Sequence, residues 1–238
     1  MSTRAGSAME NQRRCAEILT RIRTLPSRKT EPLRDIRRDV SRQIKTVSAK
    51  EVVKLAKLLV RTDPTVRWLG YELILHHRAA LASIRTKDLR EFGAGIASWG
   101  DVDAFACYLS GPAWRQRQVA DKEVLRWAKS QNRWWRRTAL VSTVPLNRRA
   151  LGGSGDTERT LLICLELVHD RDDMVVKALS WALRELTKHD KSSVRNFIRK
   201  HENSLAGLVK REVRCKLETG PKTARRTVGP RIRKPTKE

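Results

Sequence analysis

The sequence contains no apolar run long enough to cross a bilayer, and its opening stretch, MSTRAGSAMENQRRC, has no apolar core. Neither a membrane span nor a secretory leader is therefore expected, and the reading is of a cytoplasmic protein. Cysteine is scarce: Cys15, Cys107, Cys164 and Cys215 form no C-x-x-C pair and match no zinc module. That argues against a disulfide framework or a metal site and makes free thiols in a reducing compartment the expectation. Histidine is equally sparse, and the adjacent His76 and His77 diverge on a helix. No metal and no cofactor are expected. Alternating strands joined by hairpin turns are missing too, which argues against an all-β fold. Acidic residues are outnumbered, 26 against 51 Lys and Arg, for a formal net charge of +25. Self-repulsion on that scale is tolerated when the partner is a polyanion, so nucleic acid is the leading class of ligand. An anionic membrane surface is the rival, but no basic amphipathic anchor precedes the globular part.

What the sequence does have is helix punctuation. Ser48 stands three residues before Glu51 in a capping-box pattern. Asp63 precedes Pro64, and Asp121, Asp156, Asp172 with Asp173, and Ser192 each precede an apolar-periodic run. Three of the helix starts share a pattern of capping residue, apolar residue and cation: Asp63 to Arg67, Asn132 to Arg136, and Asp173 to Lys177. Their spacing fits a period of roughly 35–41 residues, near that of HEAT-like arrays. The expected fold is all-α: a HEAT-like helical repeat solenoid with a concave basic surface. Residues 1–218 would form that domain, and 219–238 a disordered basic tail. Leu151-Gly-Gly-Ser-Gly155 reads as a flexible link between helix pairs.

Three segments carry candidate chemistry. On the helix through Val175 to Leu186, Val175, Val176, Leu179, Leu183 and Leu186 share one stripe. Trp181 falls about 140° from Val176 at 100° per residue. Its neighbours there are Lys177, Arg184 and Lys188, which suit phosphate. Either the indole packs beneath those cations and the next repeat, or it is an aromatic platform on a DNA-binding face. Ser98-Trp99-Gly100-Asp101-Val102-Asp103 puts two acids beside a tryptophan in a basic chain, and a cap would account for only one of them. Asn132-Arg-Trp-Trp-Arg-Arg137 interleaves cations with aromatics. There the tryptophans read as core, and Arg136 and Arg137 as phosphate contacts.

Together these residues resemble the AlkD-type DNA alkylation repair glycosylases, a HEAT-like-repeat family. The likeness runs from about Thr30 to about Lys216. It is strongest in Lys177-Ala-Leu-Ser-Trp181-Ala-Leu-Arg-Glu185, with support from Asn132-x-Trp-x-x-Arg137 and from the Trp99 to Asp103 spacing. The resemblance implies Trp99, Asp103 and Trp181 as the active-site group, with Arg137 on backbone phosphate. At Gly100 the sequence departs from the family pattern, which usually has an acid or aromatic there. That leaves Asp101 and Asp103 as alternatives, and spacing from Trp99 favours Asp103. The implied activity is base excision repair: hydrolysis of the N-glycosidic bond of cationic N3- or N7-alkylated purines. It would be carried out by a monomer on double-stranded DNA containing alkylated bases. The alternative is a noncatalytic HEAT-repeat scaffold that binds nucleic acid or protein.

Overall fold

The computed structural model describes residues 2–26 and 30–220. Among them there is no strand, and the chain is all-helical. The first helices are α1 (Ser2–Arg23), α2 (Thr30–Gln43), α3 (Ala49–Thr62), α4 (Arg67–Leu75), α5 (Arg78–Ser83) and α6 (Thr86–Phe92). Next come α7 (Trp99–Phe105), α8 (Gly111–Arg115), α9 (Asp121–Ala128), α10 (Arg133–Val141) and α11 (Val144–Asn147). The last are α12 (Thr157–Glu166), α13 (Asp173–Leu186), α14 (Lys191–Lys200) and α15 (Gly207–Thr219). The basic tail expected at 219–238 lies, from residue 221 onward, outside the described residues. No described helix is long and apolar enough to cross a membrane.

Side-chain caps start most of the helices the punctuation marked. Ser48 accepts the Glu51 amide, Asp63 the Thr65 amide and Asp156 the Arg159 amide. Asn132 and Asp172 each accept the amide two residues on. Two starts differ. The cap of α14 is Asp190 rather than Ser192. Asp121 is the first residue of α9, and it spends a carboxylate oxygen on the buried Trp114 indole, 2.7 Å away.

Helix α13 is central. It packs on α10, α12 and α15, and α4, α7, α10, α13 and α15 touch in succession. All five residues of its expected apolar stripe are buried, and so are Ala178, Ser180 and Ala182. The buried arc is wider than the apolar stripe because α11 and α14 pack on the helix as well. Trp181 occupies the edge left over and is half-buried against the core.

Between α7 and α8 the helix widens into a π turn, Ala106–Ser110. Pro112 has no N–H, and its ring would collide with the carbonyl four residues back; the wider turn avoids that clash. Gly111 then lets the helix run against the end of α10. A Cβ there would stand 2.7 Å from the Ala106 carbonyl oxygen and 2.8 Å from that of Ser142. The Leu151–Gly155 segment, expected as a flexible link, is packed instead. A Cβ on Gly153 would stand 2.6 Å from the Pro145 carbonyl oxygen, and Gly155, at φ 101°, lies under the His189 ring. The Gly155 amide donates to Leu146 and the Gly153 amide to Arg148. These glycines serve close approach and left-handed backbone as well as turning the chain.

Candidate active site

Helix α7 carries the site's first two members. Ser98 caps it by accepting the Asp101 amide at 3.1 Å, so neither acid is used as the cap. Trp99, the first helical residue, is 61% exposed and is the one exposed aromatic side chain among the described residues. A Cβ on Gly100 would meet only Ser98 Oγ, at 3.9 Å, so the ring's neighbour leaves open space. Asp101 lies 3.9 Å from Arg67, and that arginine also donates to the Pro64 carbonyl.

Asp103, one turn after Trp99, is the better-held acid. Arg137 Nη2 donates to Oδ1 at 2.8 Å and to Oδ2 at 3.0 Å, and Nε donates to Oδ1 at 3.1 Å. The same guanidinium reaches the Met174 carbonyl at 2.6 Å, so one side chain of α10 ties α7 to the start of α13. The Arg137 side chain is 7% exposed and the carboxylate of Asp103 22%. Burial pushes the Asp103 carboxyl above the ordinary carboxylate range, and Arg137 pulls it back down. Arg137 was expected on phosphate, but most of its donors are turned inward onto protein oxygens. Arg136 is likewise committed, to Asp170 at 2.7 Å and to the carbonyls of Ser130 and Gln131. In the same segment Trp135 packs on Phe105 and Trp127, and Trp134 lies beneath the Arg133 guanidinium.

The remaining members come from α13. The Trp181 indole donates to Glu185 one turn on, at 3.4 Å, and Lys188 holds that carboxylate from the other side at 2.5 Å. Lys177 is exposed and paired with Asp173 at 2.6 Å. Arg184 donates to Ser180 at 3.2 Å and stands 3.6 Å from Glu212. The buried Cys107 thiol, one turn after Asp103, is pushed up to about 12 by burial first, and it feels Asp103, Arg148, Glu185 and Arg137 together. Trp99 and Trp181 make no ring contact with each other.

The structure thus joins Asp103 directly to Arg137 and brings the Trp181 helix alongside them, with Trp99 standing free at the edge. Glu185 received no role from the sequence, yet it orients the indole; its one-turn spacing from Trp181 was the available signal. No group of three His, Cys, Asp or Glu among the described residues is placed to hold a metal. An anionic oxygen pair, fixed by a buried cation and open on one side, can stabilise a positive charge brought to it.

A family model described as DNA alkylation repair enzyme matches residues 25–217. No curated protein and no solved structure matches the chain.

Proposed function

Because the chain belongs to the DNA alkylation repair enzyme family, with a role in DNA repair and DNA as its partner, we propose that it is a DNA glycosylase for cationic N3- and N7-alkylated purines in duplex DNA. The observation that carries this reading is the Asp103 carboxylate, held in fixed orientation by Arg137 and one turn from the exposed Trp99.

An alkylated purine of this kind is positively charged and leaves as a neutral base. The glycosidic electron pair goes to the base, and positive charge develops on the deoxyribose. Asp103 stabilises that sugar cation and orients the water whose oxygen bonds to C1′, and the water's proton passes to the carboxylate or to solvent. Trp99 and Trp181 offer π faces to the cationic sugar and base, worth roughly 0.5–2 kcal/mol each. Arg137 keeps the carboxylate ionised and in place. The helix row α4, α7, α10, α13 and α15 is read as the inner side of a HEAT-like solenoid with a basic concave surface. Lys177 and Lys188 then flank the scissile nucleotide as phosphate contacts, while Arg184, 17% exposed and turned onto Ser180 and Glu212, supports the fold rather than the phosphate for which the sequence offered it. The protein works as a monomer in the cytoplasm.

Asp103→Asn is expected to cut release of 7-methylguanine from methylated duplex DNA by about 10²–10⁴-fold, with binding of the same duplex retained. A second reading, a noncatalytic DNA-binding scaffold, draws on the Asp103–Arg137 pair itself, which also staples α7 to α10. Under that reading the wild-type chain releases no base, and Asp103→Asn changes only the melting temperature.

A further inference from the structure

A second feature lies beside the candidate site. A cavity of about 260 Å³ opens between α2, α4 and the π turn, lined by Thr30, Leu33, Arg34, Trp68, Glu72 and Tyr108. That volume is below the range of drug-sized pockets, so it suits one ring system rather than a whole nucleotide. Its two half-buried aromatic side chains make no ring contact with other aromatics. Three polar atoms around it have no hydrogen-bond partner among the described residues: Trp68 Nε1, Tyr108 Oη and Glu72 Oε1. The first can only donate, the second can donate and accept, and the third accepts while ionised. Glu72 is 10% exposed at its side chain and is anchored through its other oxygen, which accepts from Arg37 Nε at 3.1 Å. Arg34 stands at the rim, half-exposed and loosely held by Glu31 at 3.5 Å.

A lining with two aromatic side chains, a carboxylate acceptor, two groups able to donate and an arginine holds the chemistry that recognises a heteroaromatic ring attached to a phosphate chain. The π turn places this cavity next to the glycosylase site. Asp103 stands on α7 and Tyr108, five residues on, in the π turn that continues that helix and lines the cavity. We propose that the cavity lined by Trp68, Glu72 and Tyr108 takes one unstacked nucleobase of the bound DNA, distinct from the base that is released. Neither Asp103 nor Trp99 lines it. The inference goes beyond the glycosylase reading and needs only DNA as partner.

The test is equilibrium binding of the full chain to labelled duplexes at one salt concentration. The probes are a fully paired duplex, the same duplex with a single bulged adenine, and the same bulge carrying an abasic site. The wild-type chain is expected to favour the adenine bulge at least about tenfold over the other two, since base–aromatic stacking of about 1–3 kcal/mol supports that factor. Glu72→Gln and Tyr108→Phe, which change little in volume, and Trp68→Ala are expected to cut the preference severalfold and leave paired-duplex binding unchanged. If Trp68→Ala melts early, the two conservative variants decide. Equal binding of all three duplexes by the wild type, an equal gain from the abasic bulge, or a preference that survives Glu72→Gln and Tyr108→Phe overturns the proposal. Excision of 7-methylguanine by Glu72→Gln should remain, and the bulge preference should persist in Asp103→Asn, so either reading can fail without the other.

Discussion

Asp103 and Arg137 show how one side chain sets the chemistry of another. A carboxylate taken out of water loses solvation, and only Arg137 opposes the resulting rise in its pKa. On the proposed glycosylase reading, excision needs the ionised form. Rate should therefore fall as pH drops through a value above the ordinary aspartate range. In Arg137→Met that acid limb should move higher still, because the one opposing charge has gone; a pH profile of kcat/KM checks both. Removing one partner of a buried pair also strands the other, at a cost of about 3 kcal/mol. The variant should melt roughly 6–12 °C lower. The Trp99–Asp103 spacing was legible in the sequence, because one helical turn is a local quantity. The pairing with Arg137 was not, since their separation of 34 in sequence is closed only by the packing of α7 on α10. An arginine in a basic, aromatic-rich segment looks like a phosphate ligand until its neighbours are known.

At the scale of elements, a helix start is decided by the few residues around it, which is why Ser48, Asp63, Asn132, Asp156 and Asp172 were readable as caps. The π turn and the packed glycines were not readable. Each depends on a second segment: Gly111 on the backbone of Ala106 and Ser142, and Gly155 on the His189 ring. The two kinds of glycine respond oppositely to a methyl group. Gly111→Ala forces a Cβ against backbone atoms and the Pro145 ring. Overpacking of this kind costs about 1–3 kcal/mol, or a melting point lower by several degrees. Gly100→Ala meets open space inside α7. It should raise stability by about 0.5–1 kcal/mol, since alanine is the better helix residue. Thermal denaturation of the pair reads out both signs. Equal destabilisation would show that Gly100 is constrained by something other than packing.

For the whole molecule the question is which of the surplus cations face DNA. A net charge of +25 says that phosphate is attracted but not where. The ion pairs narrow the choice. Arg136 is 21% exposed at its side chain and bonded to Asp170 and two carbonyls, so its charge supports the fold. Lys177, on α13, and Lys188, just past its end, are 50% and 45% exposed, each beside an acid of that helix. Surface pairs of that kind are worth about 0–1 kcal/mol, so phosphate can displace the acid at small cost. Each cation that reaches phosphate releases counterions and steepens the fall of log affinity with log salt by about 0.9. Lys177→Ala and Lys188→Ala should each make that slope shallower by about 0.9 and leave the melting temperature nearly unchanged. Arg136→Ala should do the reverse, lowering the melting temperature and sparing the slope of the folded fraction. Duplex binding measured over a salt series separates the two groups. If the lysine variants keep the wild-type slope, the Trp181 face of α13 does not lie on DNA, and Trp181 loses its assigned place beside the scissile nucleotide.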